Sequence, residues 1–128
     1  MPGEDFAYNS VVMDHFQNPR NAGEIENPDV TAETRNPHCG DAILLGLKID
    51  NDIITDVKFL TFGCGAAIAT SSIATEMFIG KSLSEAESVT AQDIIDALGG
   101  LPERKQPCAN LAPEALRIAI EQYQSTKQ

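Results

Sequence analysis

Three cysteines and one aspartate carry the chemistry that this 128-residue sequence offers: Cys39, Cys64, Cys108 and Asp41. Cys64 lies in Thr61-Phe62-Gly63-Cys64-Gly65-Ala66-Ala67, between an apolar β-branched run and a run of small residues. That pattern predicts a strand turning sharply into a helix with the thiol in the turn. Flanking glycines remove Cβ atoms and bare the sulfur. A helix start presents unpaired N–H groups and the positive end of the macrodipole, which favour thiolate over thiol. Cys108 stands in the same relation to a following helix. The plainer alternative, a cysteine buried for packing, does not require the Gly and Pro punctuation around each thiol.

Residues two apart in an extended segment point the same way. If Cys39-Gly40-Asp41 is extended, Asp41 joins the Cys39 sulfur while His38 points oppositely. Asp41 could equally be a turn residue bonded to its own backbone, and His38 a solvent-facing loop residue. Three thiolates with one oxygen or nitrogen ligand can hold zinc tetrahedrally. They can also hold an iron–sulfur cluster, where a carboxylate in place of a fourth thiolate weakens the hold. Ligand count alone leaves both open.

Composition bounds the rest. An odd number of cysteines argues against a closed disulfide framework and for reduced thiols. With 9 basic against 19 acidic residues the net charge is −10. Such a chain is repelled by phosphate backbones, so nucleic acid is not an expected partner. No apolar run approaches the ~20 residues of a membrane span, and the acidic N-terminus lacks a signal-peptide pattern. The expectation is one cytoplasmic domain, residues 1–128.

The elements that must position these side chains follow from periodicity. Residues 5–17 predict an amphipathic helix with Tyr8, Val12, His15 and Phe16 on one face, ended by Asn18-Pro19. His15 there reads as a core or edge histidine. Val30–Arg35 predicts an edge strand. Ala42–Ile49 alternates as a half-buried strand, Asp50-Asn51-Asp52 turns, and Ile53–Phe62 returns as an antiparallel partner. That hairpin brings the segments bearing Cys39 and Cys64 to one end. A helix over Gly65–Phe78 carries Ala66, Ala69, Ile73 and Met77 on one stripe. Ser82-Leu83-Ser84-Glu85 is a capping box, Thr90 caps a helix ending at Gly99-Gly100, and Leu101–Cys108 reads as a loop. A last helix from about Leu111–Pro113 turns Leu116, Ala119, Ile120 and Tyr123 inward, with Ser125–Gln128 frayed. The fold class is α+β: a small antiparallel sheet of about three strands packed against several helices.

Taken together, several stretches closely resemble the U-type iron–sulfur cluster assembly scaffolds, the IscU and NifU N-terminal type. They are Tyr8 with His15-Phe16-Gln17-Asn18-Pro19-Arg20-Asn21, Asn36-Pro37-His38-Cys39-Gly40-Asp41, Thr61-Phe62-Gly63-Cys64-Gly65 with Ala67–Ser72, and Leu101-Pro102 through Cys108. They occur in the family's order along nearly the whole chain. The resemblance implies a scaffold rather than an enzyme, one that assembles a [2Fe–2S] cluster and passes it to apo iron–sulfur proteins. It implies Cys39, Asp41, Cys64 and Cys108 as the cluster and metal ligands, a pyridoxal-phosphate cysteine desulfurase as sulfur donor, and Cys108 as the persulfide acceptor.

Two departures stand out against that family. Many members carry histidine immediately before the third cysteine, and here the residue is Pro107. The fourth ligand then falls to Asp41, to another protomer in a homodimer, or to a small molecule. The loop resembling a Leu-Pro-Pro-Val-Lys chaperone motif reads Leu101-Pro102-Glu103-Arg104-Lys105. Its charged middle argues against recognition by a dedicated Hsp70-type chaperone. The rival reading is a zinc-binding sulfur acceptor that stimulates a cysteine desulfurase. Those relatives typically carry an insertion between the second and third cysteines, and no obvious one is present here. A thiol enzyme ranks lower, because only His15 and His38 could serve as its base.

Overall fold

A computed structural model describes residues 9–35, 40–63 and 65–127. Helix α1 (Ser10–Gln17) leads to three strands, β1 (Val30–Arg35), β2 (Ala42–Asp50) and β3 (Ile53–Phe62). Helices α2 (Gly65–Phe78), α3 (Leu83–Glu87) and α4 (Ala91–Leu98) follow, then a 3-10 helix (Glu103–Asn110) and α5 (Leu111–Lys127). The sheet is antiparallel throughout with order β1-β2-β3. This is the α+β arrangement that the periodicity predicts.

Strand β2 lies in the centre, and the turn after it sets the register. Asp50 pairs with Ile53, so Asn51 and Asp52 form a two-residue turn, both with positive φ (+53° and +60°). Such a turn matches the right-handed twist of the strands, and Asn and Asp tolerate the left-handed region it needs. A bulge at Lys48/Ile49 inserts Thr55 into β3, which keeps Ile54 inward as well as Val57 and Phe59. Helix α5 packs on β1 and β2, and α2 packs on β3. Ile43, Leu45, Leu47, Val57 and Phe59 thereby join Phe78, Leu98, Leu111, Leu116 and Ile120 in one core.

The opposite face of the sheet is crossed by the connection between α1 and β1. Asn21 and Gly23 pair with Phe59 on the free side of β3, and Asp29 bonds to Leu47 and Ile49 of β2. Between those ends the Ile25 side chain lies over Gly46.

Several expectations need correction. Helix α1 begins at Ser10, because Asn9 is its N-cap and accepts from the Val12 amide; Tyr8 and the residues before it lie outside the described residues. Phe16 is exposed rather than inward. Helix α2 is buried almost all round, not along one stripe, with Ile73 and Met77 only half-buried. Residues 103–110 form a 3-10 helix where a loop was expected, since that tighter helix tolerates Pro107. Helix α5 runs through Lys127 rather than fraying from Ser125. Both capping motifs are present: Ser82 with Glu85, and Thr90 with Asp93.

Candidate functional site

The pairing of Ala42 with Phe62 closes the β2–β3 hairpin at the end opposite its turn. The residues just beyond that pair, Asp41 and Gly63, therefore lie side by side. Their approach is so close that a Cβ on Gly63 would sit 2.8 Å from Asp41 Cβ and nearer still to its carboxyl group. Asp41 is 5% exposed, an unusual degree of burial for a carboxylate.

The 3-10 helix delivers the other half of the site. Cys108 Sγ is 3.4 Å from Asp41 Oδ2, with the thiol as donor, and Cys108 is 1% exposed. Backbone and side-chain bonds fix this helix in place. Lys105 N donates to Pro102 O at 2.8 Å, Leu111 N donates to Cys108 O, and Gln106 Nε2 donates to Leu101 O at 3.3 Å. From α2, the buried Thr70 hydroxyl reaches Cys108 O at 3.4 Å and Ala67 O at 3.2 Å. Cys108 thus belongs to an ordered turn immediately ahead of α5, where the sequence suggested a loop.

Neighbouring groups shape the surroundings. Arg35 Nη1 donates to Gly40 O at 3.0 Å, which ties the last residue of β1 to the residue preceding Asp41. The Phe16 ring lies against the start of α2, where a Cβ on Gly65 would be 3.1 Å away. Phe62, on the sheet face away from the helices, is 70% exposed. Pro107 is exposed on the 3-10 helix next to Cys108. Cys39, His38 and Cys64 lie outside the described residues.

A second polar cluster joins α1 to α2. Ser72 Oγ accepts from the Arg20 amide at 2.8 Å and meets His15 Nδ1 at 2.7 Å. His15 Nε2 faces Glu76 Oε1 at 3.8 Å. Burial pushes the His15 pKa below its usual value and Arg20 pushes the same way, against Glu76 and Asp14. His15 is a core histidine at an element junction, as the sequence suggests.

An extended Cys39-Gly40-Asp41 would make Asp41 a partner of Cys39, but Gly40 has a φ of +73°, outside the extended region, and Asp41 lies beside Cys108. Three supporting residues escaped the sequence reading. In the sequence Gly63 reads as clearance for a thiol, and its missing Cβ also accommodates Asp41. Thr70 is hidden among the small residues of α2, and the Arg35 clasp follows only from the β1–β2 register. Chemically, a thiol and a carboxylate buried together can both become anionic, and buried anions need a counter-charge. A soft sulfur beside a hard oxygen fits a borderline metal such as zinc or iron.

A three-stranded antiparallel sheet backed by helices, with a thiol–carboxylate pair at one hairpin end, defines a small α+β domain built around a cysteine site. The chain belongs to the NifU-like N terminal domain family, whose model matches residues 7–128. It is 53% identical over 116 residues to the iron-sulfur cluster assembly scaffold protein IscU 1 of Archaeoglobus fulgidus, covering 91% of this chain and 76% of the relative. Against the IscU scaffold protein of Escherichia coli the identity is 43% over 126 residues, covering 95% and 98%. Among solved structures, an iron-sulfur cluster assembly scaffold of the SUF system from Fervidobacterium islandicum superposes with a TM-score of 0.74 at 28% identity, covering 92% and 99%.

Proposed function

We propose that this chain is a scaffold, not a turnover enzyme, on which an iron–sulfur cluster of the [2Fe–2S] type is built and passed to apo-proteins. The observation that carries this reading is the buried Cys108–Asp41 pair at the hairpin end, in a chain whose relatives are named cluster scaffolds. Cys39, Cys64 and Cys108 supply thiolates and Asp41 the oxygen ligand. Pro107 has no group that could bind metal, so Asp41 is the natural fourth ligand within one protomer. Residues 1–128 act as one scaffold domain, and the acidic surface suits a basic protein partner in the cytoplasm.

Sulfur arrives from a cysteine desulfurase. The Cys108 thiolate attacks the terminal sulfur of the donor's persulfide, the donor S–S bond breaks, and the donor leaves as a thiolate. No net oxidation occurs in that exchange; converting the Cys108 persulfide to bound sulfide takes two electrons from a thiol or electron-transfer protein. Since Cys108 is buried, sulfur reaches it only through a local opening around the site. The carboxylate of Asp41 is a hard ligand for iron, which favours release over retention.

Anaerobic reconstitution with ferrous iron, sulfide and reductant tests the reading. Wild type is expected to form a chromophore containing acid-labile sulfide, and Cys64→Ser to lose it. Absence of the chromophore in wild type, or equal formation in Cys64→Ser, defeats the scaffold assignment. Stoichiometric zinc without sulfide in anaerobically purified protein, together with stimulation of a desulfurase, would instead establish a zinc-dependent sulfur acceptor.

A further inference from the structure

We propose that Gly63 is a positioning residue for Asp41, and that its missing Cβ sets where the carboxylate sits relative to Cys108. The inference rests on the scaffold reading and names a residue that controls how its site holds the cluster. Its basis is steric. Asp41 stands just before β2 and Gly63 just after β3, and the Ala42–Phe62 pair fixes them at the same level. No other side chain could occupy position 63 without displacing Asp41, because the space a Cβ needs is filled by the Asp41 side chain. The backbone at Gly63, with φ of +157°, is also one that glycine adopts without strain.

The seat has a directional consequence. With its side chain laid against a backbone that has no side chain of its own, the carboxylate turns Oδ1 to Gly63 and Oδ2 to Cys108, whose sulfur is 3.4 Å from Oδ2. Any side chain at position 63 pushes the carboxylate out of this slot and changes both its reach toward a metal and its contact with Cys108. Clearance beside Cys64 would be satisfied by open space, whereas here the space is occupied by another proposed ligand.

A double-mutant cycle separates positioning from general damage, measuring half-life of the reconstituted cluster under chelator challenge. Gly63→Ala in the wild-type background should change that half-life by about threefold or more, in the same direction as Asp41→Ala. In the Asp41→Ala background, Gly63→Ala should change it by less than about 1.5-fold, since no carboxylate remains to position. Backbone strain at position 63 lowers the melting temperature in both backgrounds, so thermal unfolding reports it independently of the coupling. In the apo-protein, the side-chain carboxyl carbon resonance of Asp41 should move in Gly63→Ala. Asp41→Glu supplies a variant with position 63 untouched: its extra methylene moves the carboxylate away from its place between Gly63 and Cys108, so its cluster half-life should depart from wild type as that of Asp41→Ala does. A wild-type half-life in Gly63→Ala or in Asp41→Glu, or an equal effect of Gly63→Ala in both backgrounds, overturns the proposal. Failure of wild type to form any cluster removes the scaffold reading itself, a result distinct from all of these.

Discussion

Protonating His15 sets a burial cost against the stability of the fold. The ring is 5% exposed, and its neutral form fits the contact with Ser72 Oγ. Burial and Arg20 together hold its pKa below the ordinary 6.5. Above that pH the ring is neutral in folded and unfolded chains alike, so it adds no pH dependence. As pH falls through about 6.5 the unfolded chain takes up the proton first, and the fold loses stability. A tenfold difference in proton affinity between the two states corresponds to about 1.4 kcal/mol. Thermal unfolding should therefore show a lower melting temperature at pH 5.5 than at pH 7.5, and His15→Gln should flatten that difference. An unchanged pH profile in His15→Gln would remove His15 as the cause. At this same scale local pattern is informative about residue type, and only the family resemblance joins Asp41 and Cys108 in one ligand set. Tyr8, Cys39 and Cys64 fall outside the described residues, while the closeness of Asp41 to Cys108 spans 67 positions and has no local pattern to reveal it.

Between elements, helix α2 is the hub, and two adjacent serines on it make a controlled comparison. Ser71 and Ser72 are both fully buried. Ser72 Oγ serves the Arg20 amide and His15, while Ser71 Oγ has no hydrogen-bond partner among the described residues. Ser72→Ala leaves a part-buried amide and a buried ring nitrogen without this partner, which costs about 1–3 kcal/mol. Ser71→Ala removes an unpaired polar atom and is expected to be neutral or stabilising by a few tenths of a kcal/mol. Chemical denaturation of the two variants decides this, and equal destabilisation would contradict the assigned roles. Elements with local signatures are legible beforehand: the alternation of β2, the turn at Asp50-Asn51-Asp52, the Ser82 capping box and the Thr90 cap, though not the return bond from Asp93. Helix α1 was legible in part, because Asn9 as its cap competes with a longer amphipathic reading. The 3-10 helix was not legible, since prolines at positions 102 and 107 mark a chain break in the sequence and a tight turn in space. Phe62 has outward parity on β3, and no strand pattern says which outward residues the α1–β1 connection will cover.

Across the molecule, stability is concentrated where the sheet meets α2 and α5. Ile43, Leu45 and Leu47 of β2 and the small residues of α2 lie at the centre of one core. Amides of β2 and α2 are expected to exchange with solvent only through global unfolding, and those of α1 through a smaller opening. Hydrogen exchange followed by NMR checks the order; protection in α1 equal to that in β2 would contradict it. A net charge of −10 adds self-repulsion that salt screens. The treatment of β3 has one more consequence. Its free side is occupied near one end by Asn21 and Gly23 on Phe59, and at the other by Ile54 bonding Gly80 and Lys81 with Ile53 bridging to Ser82. With both ends of this edge occupied, β3 offers an added strand little free backbone, which removes one template for edge-to-edge aggregation.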